Sequence, residues 1–127
     1  RDIIKDLCPQ FREMTPHGVN NYCCGGGGGF AVMKSMNFPE WRSRVAGRMK
    51  FKQILEAFQD TVSDPSQPKY VCAPCSNCKG AIRDILNYYQ ASGKYNIRYG
   101  GLAELIVNAM PVFEKPYLDF EEEAEFL

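Results

Sequence analysis

The sequence predicts an α/β fold of short parallel strands with flanking helices and cysteine-lined loops at one end. Two observations predict it. Two β-prone runs, Tyr70-Val71-Cys72 and Tyr95–Tyr99, are each followed by a helical pattern, so Lys69–Met110 reads strand–helix–strand–helix with parallel pairing. The cysteines and glycines gather at the junctions rather than inside the apolar faces.

The elements follow in order. Asp2–Leu7 is predicted as a short helix, with Ile3, Ile4 and Leu7 at helical spacing and Pro9 disturbing its continuation. Thr15–Asn21 is rich in turn-formers. A helical pattern from Phe30 is interrupted near Asn37-Phe38-Pro39. Pro39 is a good first residue for the next helix, expected over Pro39–Gln59. Its core positions are expected at Trp41, Val45, Met49, Ile54, Leu55 and Phe58. Arg42, Arg44, Arg48, Lys50 and Lys52 make up its basic, solvated side. After the loop Asp60–Pro68 comes the first strand. The helix after Pro74 runs to about Ala91 on the face Ala81, Ile82, Ile85, Leu86 and Tyr89, with Ser92-Gly93 ending it. Gly100-Gly101 turns into a last helix carrying Leu102, Leu105, Ile106 and Ala109, stopped by Pro111. Residues 1–110 thus form one domain. Residues 111–127 form an acidic tail, with six carboxylates from Glu114 onward against Lys115.

Composition narrows the functions. Hydrophobic residues make up 45% and charged residues 24% of 127 residues, ordinary for a globular domain. Fifteen basic residues balance fifteen acidic ones, which argues against nucleic-acid binding through bulk charge. No apolar run is long enough to cross a bilayer and no leader-like segment opens the chain, so a cytoplasmic location is expected. A single histidine, His17, excludes a histidine-rich metal site.

Six cysteines remain: Cys8, Cys23, Cys24, Cys72, Cys75 and Cys78. Three disulfides are one reading, but disulfide scaffolds spread their cysteines, and these are bunched. Clustered thiolates suit a soft metal or an iron–sulfur cluster, where several sulfurs converge on one centre. Cys75-x-x-Cys78 lets two sulfurs from one turn reach that centre, and Cys23-Cys24 supplies a second pair. The C-x-x-C alone, at a helix start after a strand, would also suit a redox dithiol.

Gly25–Gly29 follows the adjacent cysteines directly. A flexible linker is the plain reading. A phosphate cradle fails because Phe30-Ala31 stands where a P-loop needs Lys-Ser/Thr. The dinucleotide fingerprint is formally matched, without the strand and acidic residue it needs. The most economical reading is a backbone wrapped closely around an inorganic centre. Glycine there permits positive φ and turns N–H groups towards anionic sulfur, which makes Gly25, Gly26 and Gly27 candidate cofactor contacts.

Cys23-Cys24-Gly25 followed by more glycine, with a distant Pro74-Cys75-x-x-Cys78, resembles the cysteine-rich CCG domain of heterodisulfide reductase subunits B and D. Asn21-Tyr22-Cys23-Cys24 with its glycines, and Val71-Cys72-Ala73-Pro74-Cys75-x-Asn77-Cys78-Lys79, are most similar to one branch. That branch holds the iron–sulfur subunits of sulfate-reducer membrane redox complexes, either sulfite-reductase-associated or tetrahaem-cytochrome-linked. The resemblance spans about Phe11–Met110, and no ferredoxin-type cluster motif precedes it. The chain therefore resembles only the C-terminal part of such a subunit.

The resemblance implies an oxidoreductase role in electron transport and disulfide reduction, with a non-cubane 4Fe–4S cluster in the full protein and zinc or no metal as possible states of this chain. It assigns Cys23, Cys24, Cys75 and Cys78 as ligands. Cys72 is an additional candidate, and Cys8 a weaker one that stands too close to Cys23 to replace the family's upstream cysteine. The isolated chain is accordingly expected to be inactive alone. The implied partners are other subunits of a membrane-associated redox complex, to which the domain would be peripheral, and a disulfide-bearing protein or small thiol. A non-catalytic, cysteine-only zinc or interaction domain is the alternative. The basic helix side is a candidate docking face for an acidic partner.

Overall fold

A computed structural model describes residues 1–27 and 40–111. The expected helix start at Phe30, the interruption near Asn37, the Pro39 helix start, Gly28, Gly29 and the acidic tail lie outside the described residues.

Helix α1 spans Asp2–Leu7, and a 3-10 turn follows at Gly18–Asn20. A π-helical segment, Arg42–Ala46, leads through Gly47 into α2, Arg48–Ala57. Strand β1 (Lys69–Cys72), α3 (Ser76–Tyr88), a short α4 (Ala91–Tyr95), β2 (Ile97–Gly100) and α5 (Leu102–Asn108) complete the order. The two strands pair in parallel, with Lys69 opposite Ile97 and Cys72 opposite Gly100. The ladder extends one bond further, from the Ala73 N–H to the Gly100 carbonyl at 2.9 Å. The α/β reading with parallel strands is therefore the observed architecture.

One core organises these elements. Ile54 of α2, Val71 of β1, Ile82, Ile85 and Leu86 of α3, Ala91 of α4 and Ile97 of β2 are all buried in it. Each large aliphatic side chain removed from water there contributes roughly 1.5–3 kcal/mol to folding. Phe51 of α2 stacks on Tyr89, just past α3, with ring centroids 4.0 Å apart. Because β1 and β2 run the same way, the turn after β1 that carries Pro74 and Cys75 emerges at their C-terminal ends, where open α/β sheets hold ligands.

Several details differ from the sequence expectation. The helix after Pro74 ends at Tyr88 rather than near Ala91. Gln90 takes a left-handed conformation, φ 53°, and Ser92-Gly93 falls inside α4. The helix expected over Pro39–Gln59 is interrupted by the π segment, whose wide turn closes with Gly47 N–H to the Arg42 carbonyl at 2.6 Å. The extra residue per turn rotates the preceding side chains relative to α2. Trp41, expected in the core, is 49% exposed, whereas Arg42, expected in solvent, is fully buried. Lys50, also expected in solvent, is buried. Arg44, Arg48 and Lys52 are exposed as expected. No helix among the described residues is long and apolar enough to cross a membrane.

Candidate metal centre

Cys24 and Cys78, 54 residues apart in sequence, bring their sulfurs to 3.2 Å. Glycine geometry makes this possible. Gly25 has φ +79°, a left-handed bend unfavourable to any side chain, and its N–H donates to Cys23 Sγ at 3.2 Å. An added Cβ at Gly25 would stand 3.2 Å from Ala46 Cβ and 3.3 Å from Arg42 Cγ. The backbone at Cys24–Gly26 is thereby seated between the π segment and the first turns of α3. Gly27 is exposed, with open space where a Cβ would go.

The C-x-x-C pair is asymmetric. Cys75 is the N-cap residue of α3 and is exposed, whereas Cys78 lies in the first turn and is half-buried. The backbone N–H groups of Cys78 and Asn77 hold the Cys75 thiol below its ordinary range. Burial, then contact with Cys24, pushes the Cys78 thiol up to about 12. Metal-free, the arrangement is an exposed, readily ionised sulfur beside a shielded, protonated one. That pattern suits thiol–disulfide exchange as well as ligation.

All six cysteines are free thiols. Cys23 is exposed and Cys24 buried. Among the described residues, no three His, Cys, Asp or Glu side chains are gathered as a preformed metal cage. What is assembled is the link between the two motifs, Cys24 to Cys78, with Cys23 and Cys75 flanking it at the surface. The donor set is entirely sulfur, which fits zinc or iron–sulfur centres and not hard cations such as calcium or magnesium.

Cys8 and Cys72 belong to different surroundings. Both line a cavity of roughly 700 Å³, together with Phe11, Met14, Leu102 and Leu105. Burial, followed by the neighbouring Cys8 and Glu104, raises the Cys72 thiol. None of the other four sulfurs is among the groups acting on it.

Two residues that the sequence reading placed in solvent are buried against the segment that carries Cys23 and Cys24. Lys50 Nζ donates to Asn21 Oδ1 at 2.9 Å and to Gln53 Oε1 at 2.5 Å. Burial lowers its pKa, and the sulfurs of Cys24, Cys78 and Cys23 oppose that shift. Burial likewise lowers the Arg42 pKa, opposed by Cys24. Arg42 forms an ion pair with Asp84 of α3. A signal for Lys50 was available: it stands four residues before Ile54 and so on the same helix face.

The sequence profile of the CCG cysteine-rich domain family matches residues 2–83, about two thirds of the chain. No curated protein and no solved structure matches it.

Proposed function

The chain belongs to the CCG family of cysteine-rich domains, and from that premise we propose that it is an iron–sulfur domain of a heterodisulfide-reductase-like subunit, serving electron transfer and disulfide reduction. The observation that carries the reading is the 3.2 Å approach of Cys24 Sγ to Cys78 Sγ, which joins the Cys-Cys-Gly and C-x-x-C motifs at one point. Cys23, Cys24, Cys75 and Cys78 would hold the centre. Gly25 and Gly26 let the backbone come close enough for Cys24 to reach it. A non-cubane 4Fe–4S cluster there would supply one-electron redox chemistry and an open iron for sulfur. The protein's own part is to bury Cys24 and partly bury Cys78 while Cys75 and Cys23 remain at the surface, where a disulfide-bearing protein or small thiol can approach. In the full assembly, partner subunits of a membrane-associated redox complex would deliver the electrons.

Anaerobic reconstitution with iron and sulfide tests this. Bound iron with matching acid-labile sulfide, a visible charge-transfer band and an EPR signal on oxidation or reduction are expected, all lost in Cys24→Ser. A single tightly held zinc with no uptake of iron would replace this reading with the cysteine-only zinc domain.

A further inference from the structure

Lys50 and Arg42 are costly residues to bury. Lys50 is 5% exposed and Arg42 0%. An isolated buried cation loses far more in hydration than ordinary packing returns, so such groups are found paired with anions. Lys69 shows how this chain satisfies a buried ammonium when no anion is intended. Its Nζ donates to three backbone carbonyls, those of Asp64, Gln67 and Tyr95, at 2.8–2.9 Å.

Lys50 is treated differently. Its two acceptors, Asn21 Oδ1 and Gln53 Oε1, are neutral, and they hold the ammonium on the side of the Cys23-Cys24 segment, two residues beyond Asn21. Arg42 meets Asp84 through Nη2, and its Nε and Nη1 have no hydrogen-bond partner among the described residues. Its side-chain stem lies against the backbone of Gly25, next to Cys24. Among the described residues, two buried cations thus meet one carboxylate, Asp84, on the flank of the cysteine site.

We propose that Lys50 and Arg42 form a buried cationic cradle that compensates the negative charge of the metal-bound thiolates of Cys23, Cys24 and Cys78. The inference rests on the sulfur-ligated reading above and assigns the two residues as positioning residues for that centre. A dication held by four thiolates carries a net charge of about minus two, as does the common oxidised iron–sulfur centre on four thiolates. In a low-dielectric flank, cations set behind the sulfurs stabilise that charge. They leave the exposed sides of Cys23 and Cys75 free for an incoming group.

Cobalt(II) is the probe. It is titrated anaerobically into the reduced full chain and followed by its thiolate-to-cobalt charge-transfer absorption. Lys50→Met and Arg42→Met are each expected to weaken cobalt affinity tenfold or more, with Lys50→Arg and Arg42→Lys staying within about threefold of wild type. Metal-free thermal stability is expected to change little in Lys50→Met, since removal of a buried charge offsets the loss of its hydrogen bonds to Asn21 and Gln53. Should a Met variant fail to fold, Lys50→Gln takes its place and is read in the same way. Wild-type affinity in the neutral variants overturns the cradle and leaves the metal site standing. A wild-type chain that binds neither cobalt nor iron overturns both.

Discussion

Gly26 meets Asn77 so closely that a Cβ on Gly26 would stand 2.8 Å from the Asn77 carbonyl oxygen, and 3.0 Å from Ala81 Cβ. The contact seats the Cys-Cys-Gly segment on the helix that carries Cys78. Neither neighbour can yield cheaply, because one is helix backbone and the other is a side chain buried in the helix face.

Gly26→Ala is therefore expected to destabilise the fold by about 1–3 kcal/mol, the usual cost of forcing a methyl into a packed contact. It should also part Cys24 from Cys78. Gly27→Ala, in open space, should stay within about 0.5 kcal/mol of wild type. Denaturant unfolding of both variants checks the pair. Equal effects at the two positions would mean that the glycine run acts only as a linker.

The metal-free chain should react with iodoacetamide in a fixed order. Cys75 and Cys23 are exposed, whereas Cys24 is buried and Cys78 shielded. Cys75 should also react at a lower pH than an ordinary thiol, because backbone N–H groups favour its thiolate. Timed alkylation with peptide mapping is expected to show Cys75 and Cys23 labelled first, and Cys78 only on unfolding. Early labelling of Cys78 would contradict its raised pKa and its contact with Cys24.

The C-terminal helix is tied to the cysteine-bearing helix by Glu104 of α5 and Lys79 of α3. Lys79, opposed by partial burial and helped by the Gly101 backbone N–H, holds the Glu104 carboxyl below its ordinary value of 4.5. A depressed folded-state value contributes stability that is full above the unfolded value and lost as the pH falls through the folded one. Wild type should accordingly lose more stability than Lys79→Met on going from pH 6 to pH 3, by under about 1 kcal/mol for so accessible a pair. Parallel thermal melts at the two pH values measure the difference.

The parts of this architecture that were legible in the sequence are those with strong periodicity or special chemistry. Ala81, Ile82, Ile85 and Leu86 announced the buried face of α3, and the β-prone run before Cys75 announced its strand. The meeting of Cys24 with Cys78 followed from the appetite of one centre for several sulfurs. Arg42 and Trp41 were not legible. Ordinary helical spacing assigns them the wrong faces, and only the π segment with Gly47 against Ile85 exchanges them. Lys50 carried a positional signal, four residues before Ile54, but a lysine at such a position is ordinarily read as solvated.

The last expected outcome separates the cysteines by location. A sulfur that binds the centre cannot be replaced by a hydroxyl without losing a soft, ionised ligand, whereas a partly buried thiol away from the centre behaves as a small hydrophobe. Cys24 and Cys78 share one contact, while Cys8 and Cys72 line the cavity beside Phe11, Met14, Leu102 and Leu105. Cobalt affinity should fall a hundredfold or more in Cys24→Ser and Cys78→Ser. It should stay within about threefold of wild type in Cys8→Ser and Cys72→Ser, whose cost should appear instead as up to about 1 kcal/mol of fold stability for a partly buried hydroxyl. A large loss of cobalt binding in Cys72→Ser alone would extend the ligand set along β1 and require the turn Ala73-Pro74 to refold around the metal. Hydrogen exchange at the Ala73 N–H, which donates to the Gly100 carbonyl here, would then speed up on cobalt binding.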